Sequence, residues 1–255
     1  MESVRVEFAK LRRSAAWVVV VLLPVLAVLS GGGSTAGSAA GFDQGWHTLW
    51  VRSIGFYGMA LLPVGVGVLA SLVWRPEHRG GNWNALMGGP TSTLRIVIGK
   101  AAAVCALAAT MQVVLLGTVA VMGTVVFGLD GALPGRYVAA SLVVSVACAP
   151  VAALQSGVSA LSRSFAPPVA VALLGGGIGT VLLLIAGPVA TILPYALATD
   201  ATQLGTVLAN GVGTSFSASS LSVASVVRLV GSSVLATAVI VALTTVILER
   251  RDVRT

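Results

Sequence analysis

Charged side chains are scarce in this chain: Asp, Glu, Lys and Arg make up only 9% of its 255 residues, against roughly 25% in an ordinary soluble domain. So few charges cannot cover a water-facing surface. With 56% hydrophobic residues and a mean hydropathy of +0.99, the sequence is that of an integral membrane protein. Histidine and cysteine are rarer still, two of each. His47 and His78 fall on opposite sides of the predicted bilayer, which rules out a shared metal site or an H-E-x-x-H motif. Cys105 and Cys148 fall in predicted helices at depths differing by about 10 Å, too far apart for a disulfide, so two free buried thiols are expected. The phosphate-loop pattern G-x-x-x-x-G-K-[ST] is absent, so no site of that kind for ATP is expected in this chain. The formal net charge of +7 is not gathered on a soluble domain, and nucleic acid is not expected as a partner.

What the sequence has instead is long apolar runs. Ser14–Ser30, Ser53–Trp74, Ala101–Leu129, Tyr137–Leu161, Val169–Leu193 and Leu229–Leu248 contain no Asp, Glu, Lys or Arg, and each is near or above the roughly 20 residues that span a bilayer. Barrel strands would alternate polar and apolar, so the runs predict six transmembrane helices in one all-α domain over residues 1–255. With both termini cytoplasmic, twelve of the fifteen basic residues lie inside, and only Arg52, Arg136 and Arg228 lie outside. That asymmetry predicts an N-in, C-in topology.

Before the first run, Val4, Phe8 and Leu11 share one stripe. They form either a short amphipathic helix lying on the inner lipid surface or merely a positive flank for helix 1. The basic start and apolar core have the outline of a secretory signal peptide, but Glu2 and Glu7 fit it poorly and a retained helix is expected. Residues 31–52 read as a Gly/Ser-rich outer loop. Within it, Leu29-Ser30-Gly31-Gly32-Gly33 imitates an ATPase signature, which means nothing without a phosphate loop. Pro63 in helix 2 and Pro188 in helix 5 each remove a backbone hydrogen bond, and either kink the helix or are tolerated where neighbouring helices re-satisfy the backbone. Gly175 and Gly179 give a G-x-x-x-G that predicts close helix contact, within the chain or across a dimer. In the outer segment 194–228, Leu197, Leu204, Val207 and Leu208 could form one amphipathic helix that re-enters or caps the membrane, or lie in an irregular loop.

Candidates for chemistry are few. Ser159 in Gly157-Val158-Ser159-Ala160 has the outline of an intramembrane nucleophile, yet no histidine lies in a predicted span to activate it. Asp43, Asp130 and Asp200 all fall outside and read as solvated loop acids. The apolar runs carry no ionisable group to bind a coupling ion, which weakens the case for an ion-coupled carrier; hydroxyls and carbonyls could still hold sodium. The densest polar stretch is the inner loop 75–100, from Arg75 to Lys100, which includes Glu77, His78, Arg79, Asn82, Trp83, Asn84 and Leu86.

Three features together resemble the permease subunits of type-2 ATP-binding-cassette exporters, especially the bacterial lantibiotic-immunity and antibiotic-efflux branch. The first is Glu7-Phe8-Ala9-Lys10-Leu11-Arg12-Arg13 before helix 1, similar to an E-x-x-K-x-[RK]-[RK] pattern. The second is Glu77-His78-Arg79-Gly80-Gly81-Asn82-Trp83-Asn84-Ala85-Leu86, followed by Pro90 and Gly99-Lys100. The third is the six-helix order with a long outer segment before helix 6.

The resemblance implies a bacterial plasma-membrane subunit that is not itself an enzyme. It would work with a separate ATP-binding-cassette ATPase carrying the ATP and Mg, with a second permease and with membrane lipid, and would export an antibiotic, peptide or lipid. It also implies a coupling helix around Glu77–Leu86, or a shorter one from Asn82 if Gly80-Gly81 break it. Glu77, Arg79 and Asn82 would meet the ATPase through polar contacts, and Trp83 and Leu86, three apart on one helix face, would be its apolar anchors. Trp83 resting at the headgroup level is the simpler alternative. Two other readings of the whole chain remain: a non-transporting scaffold or sensor partner, and an ion-coupled carrier.

Overall fold

The computed structural model describes residues 14–37, 41–79, 82–208, 216–218 and 221–252. The predicted interfacial residues Val4, Phe8 and Leu11 lie outside them. Six helices are long and apolar enough to cross a membrane: α1 (Ala16–Ala36), α2 (Trp46–Trp74), α4 (Thr93–Val126), α5 (Gly135–Leu161), α6 (Ala166–Ile192) and α8 (Val223–Asp252). Two short helices, α3 (Asn82–Met87) and α7 (Pro194–Thr202), lie between them. The other regular structure among the described residues is an antiparallel pair of three-residue strands, β1 (Thr206–Leu208) and β2 (Phe216–Ala218). The architecture is all-α apart from that pair, as the apolar runs predict, because lipid leaves the backbone no other way to satisfy its hydrogen bonds.

The helices overrun the apolar runs. α2 begins seven residues before Ser53 and α4 eight before Ala101. A 29-residue helix reaches about 43 Å, beyond the roughly 30 Å of hydrocarbon. Charge marks where lipid ends, whereas the helix continues until its backbone bonds or packing fail. Two corrections follow. The supposed outer loop after Ser30 is helical through Ala36, with Gly31 so close to α2 that an added Cβ would sit 2.6 Å from the backbone nitrogen of Ser53. And the helices do contain ionisable residues: Arg52 lies within α2, and α4 includes Arg95 and the buried Lys100.

Irregular turns interrupt the spans. A π turn over Tyr57–Leu61 precedes Pro63, whose ring and missing N–H disfavour an ordinary helical turn. α5 is broken at Cys148, just before Pro150. Pro188 neither kinks nor sits within a continuous α-helix. The α-helical part of α6 ends at Ala186, Gly187 takes φ +58°, and Pro188 sits in a 3-10 turn over Gly187–Ile192.

α2 and α5 form the inner pair. α2 packs against α1, α4, α5 and α6, while α5 also receives α4, α7 and α8. Tyr57, Leu69, Leu107, Met111 and Leu115 are fully buried in the shared core. Both cysteines are free, Cys148 buried and Cys105 half-buried.

α7 is buried among the spans on the face opposite α3. Of the residues that could form one amphipathic helix or lie in an irregular loop, only Leu197 is in α7, which ends at Thr202, and Gly205 with φ +77° turns the chain into β1. The glycine stripe of α6 receives it, since Cβ atoms on Gly175 and Gly179 would collide with Tyr195 and the backbone of Ala196. That close contact is therefore within the chain.

Candidate functional site: the brace beneath the loop from Arg75 to Ser92

One face of the bundle gathers Ala15 before α1, the loop after α2, the turn between α5 and α6, and the end of α8. With them come Arg75, Arg79, Arg95, Lys100, Arg163 and Arg250. α2 ends there at Trp74, which is buried, and its indole N–H donates to the Ser156 hydroxyl of α5 at 2.8 Å. The last turn of any helix leaves carbonyls without partners. Here the Lys100 ammonium, reaching from α4, donates to the Val73 carbonyl at 3.1 Å, where a cation also meets the negative end of the helix dipole.

The same ammonium donates to the Glu77 carboxylate at 2.8 Å and lies 5.3 Å from the centroid of the Trp74 ring. The pair is sealed from solvent, at 2% and 6% side-chain exposure. A buried charge is tolerated only when paired and hydrogen-bonded. Glu77 and Lys100 therefore hold the loop to α4 while closing the end of α2.

An aromatic stack continues the brace outward. His78 Nε2 lies 2.8 Å from the Ser159 carbonyl, so that nitrogen carries the proton and donates. The imidazole stacks on Trp83 of α3, centroids 5.4 Å apart and rings 9° from parallel, and Trp83 lies tilted on Trp74 at 6.0 Å. Leu86 and Met87 pack with Trp83 against Trp74, Ile96, Val97, Ala160 and Leu248. α3 is thus seated on the ends of α2, α4, α5 and α8. The Asn82 side-chain amide donates to the Pro76 carbonyl at 3.1 Å and joins the helix start to the loop.

The structure divides the five residues singled out from the sequence. Arg79 and Asn82 are exposed, as is Ala85, which sequence reasoning passed over. Glu77 is buried in the ion pair, and Trp83 and Leu86 are half-buried against the bundle. The missed partner is Lys100. It was visible only as a basic residue leading into the third span, and nothing local announces that it pairs with a carboxylate 23 residues earlier.

The opposite face carries the remaining candidates. His47 Nδ1 lies 3.2 Å from the Tyr137 hydroxyl, which also accepts from Arg136 at 2.7 Å. Asp200 of α7 pairs with Arg228 of α8 at 2.8 Å, and Asp43 and Asp130 are exposed. The two histidines do lie at opposite ends. Among the described residues no group of three or more His, Cys, Asp or Glu could hold a metal. Ser159 is buried, and the neighbouring His78 engages its carbonyl rather than its hydroxyl.

The middle of the bundle is polar at two points. Gln112 donates to the Tyr57 hydroxyl at 3.0 Å. Gln155 accepts from the Tyr195 hydroxyl and from Ala172 N–H, and donates to the Pro168 carbonyl at 3.0 Å, joining α5 to α6 and α7. The Gln155 amide is fully satisfied and fixes helix register in lipid at modest cost, whereas the buried Gln112 Oε1 has no partner among the described residues.

No curated protein and no solved structure matches the chain. The family model described as ABC-2 family transporter protein matches residues 3–179, which takes in α1 through α5, the brace around α3 except the end of α8, and the first half of α6. A match over that much of the sequence, on six membrane-capable helices, means that the chain belongs to the ABC-2 transporter family and is a multi-pass membrane permease.

Proposed function

We propose that this chain is the membrane-spanning half of an ATP-driven exporter in a bacterial plasma membrane, that it moves an amphiphile such as an antibiotic, peptide or lipid, and that α3 is where a separate ATPase engages it. The observation that carries this reading is the seating of α3. A short helix with Asn82 and Ala85 exposed packs on an apolar cluster drawn from the ends of four spans, and the loop that leads to it is tied to α4 and to the end of α2 by the Lys100 ammonium, through Glu77 and Val73.

A push on such a helix cannot be absorbed locally, because the packed contacts beneath it pass displacement on to α2, α4, α5 and α8. Two permeases, each driven through its α3, would then alternate between inward- and outward-facing arrangements. In this reading Asn82 and Ala85 of α3 meet the ATPase. Glu77, Trp83 and Leu86 hold the contacting helix in place as positioning residues.

The test is Ala85→Glu, in the permease co-purified and reconstituted with its ATPase. The position is exposed, so folding and membrane insertion should be unchanged. Substrate-stimulated ATP hydrolysis and ATP-dependent export should fall at least about tenfold, the effect of losing roughly 1.4 kcal/mol at a protein interface. Undiminished transport by Ala85→Glu would overturn the assignment of α3 as the coupling element.

A further inference from the structure

Beside the brace, and separate from the exposed surface of α3, a cavity of about 510 Å³ opens between α1, α2, α5 and α6. Its size is that of a site for one small ligand or headgroup, within the roughly 300–1,000 Å³ usual for such sites. The wall has two kinds of surface. Val19 of α1, Leu72 of α2 and Phe165 before α6 make it apolar, while Arg75, Arg79 and Arg163 bring three guanidinium groups to the same space.

None of these arginines pairs with a carboxylate among the described residues, where Glu77 pairs with Lys100 and Asp200 with Arg228. Three like charges around one cavity repel each other and gain from an anion placed between them. A second observation points the same way. Ser159 lines the cavity, is 2% exposed, and its hydroxyl has no hydrogen-bond partner in the structure. A buried donor left unmade costs on the order of 1–3 kcal/mol, which an acceptor oxygen in the cavity would recover.

We infer that this cavity binds the phosphate of an anionic membrane phospholipid from the leaflet on the basic face, with the guanidinium groups of Arg75, Arg79 and Arg163 on the phosphate oxygens and the start of the acyl chains along Val19, Leu72 and Phe165. The guanidinium fork matches phosphate oxygens two at a time, which a diffuse basic surface does not. A soluble phosphate would satisfy the arginines but leave the apolar wall uncovered, so the lipid is the better occupant. The site stands whether or not the chain exports anything.

The experiment is native mass spectrometry of the delipidated full chain in detergent, titrated with dioleoyl phosphatidate, dioleoyl phosphatidylcholine or glycerol 3-phosphate. One phosphatidate per chain should bind at least about tenfold more tightly than phosphatidylcholine, and glycerol 3-phosphate should not displace it. Arg75→Gln with Arg163→Gln should weaken phosphatidate about tenfold or more. The charge-matched control Arg95→Gln with Arg250→Gln, both on exposed positions of the same face, should leave it unchanged. Equal weakening by the two double variants would reduce the effect to a diffuse field and overturn the site. Phosphatidylcholine binding as tightly as phosphatidate would overturn the anionic headgroup as the ligand, and glycerol 3-phosphate competing at equal concentration would overturn the lipid as its occupant.

Discussion

Two ion pairs of the same length stand at opposite ends of this molecule. Lys100 and Glu77 on the basic face, and Arg228 and Asp200 on the other, are each 2.8 Å apart. The first pair is 2% and 6% exposed; the second is 37% and 22% exposed. Water screens the second and is excluded from the first, so removing one partner strands a charge only at the basic face. The lesson is that distance does not rank these contacts: burial does, and it concentrates mechanical consequence beneath α3.

Breaking the buried pair on one side should have the largest effect. Lys100→Met leaves Glu77 without the ammonium that neutralises it and Val73 without its donor, and should cost about 3–5 kcal/mol, read as earlier unfolding in a thermal or SDS titration of the purified permease. Replacing both, as Glu77→Leu with Lys100→Met, should recover most of that loss, because a buried pair exchanged for apolar groups is often near neutral. The double variant should nevertheless show reduced stimulated ATP hydrolysis, since the loop is no longer tied to α4. Full activity in a stable double variant would mean that the pair serves folding alone.

Trp83→Ala comes next. It removes the stack on His78 and the contact with Trp74, a loss of about 0.5–1.5 kcal/mol beyond the area uncovered, and should lower coupling more than it lowers stability. A variant that unfolds early yet couples normally would place Trp83 in the fold and not in the relay. Smallest is Asp200→Asn on the opposite face. It should shift stability by about 1 kcal/mol or less, diminishing further as salt is raised. A shift as large as that of Lys100→Met would erase the contrast between the two ends.

Much of this contrast was hidden in the sequence for identifiable reasons. The six spans were legible because lipid imposes one requirement on every residue of an apolar run, and the free cysteines because helix rise fixes their depths. The start of α4 was not: Lys100 is charged yet helical and buried, since a partner from another segment neutralises it. Glu77 looked like a surface residue for the same reason. Its neighbours Arg75 and Arg79 are exposed, and only the fold reveals which member of a charged loop turns inward. The G-x-x-x-G in α6 correctly signalled close contact, but its partner, the turn and helix around Tyr195, carries no motif of its own. The apolar stripe from Leu197 to Leu208 left helix and loop both open, because it says nothing of Gly205, whose positive φ ends helical continuation.

The central claim is that energy enters through α3 and not through the face that carries Asp200 and Arg228. It is tested most directly by placing a photo-crosslinking amino acid at Asn82 or Ala85 and, as the control, at Ala132 between α4 and α5, all of them exposed, and irradiating membranes that contain the complete transporter. The account predicts an adduct from Asn82 and Ala85, identified by peptide mass spectrometry as an ATP-binding-cassette ATPase, and none from Ala132. An ATPase adduct from Ala132, or none from either α3 position in membranes that carry out ATP-dependent export, would contradict it.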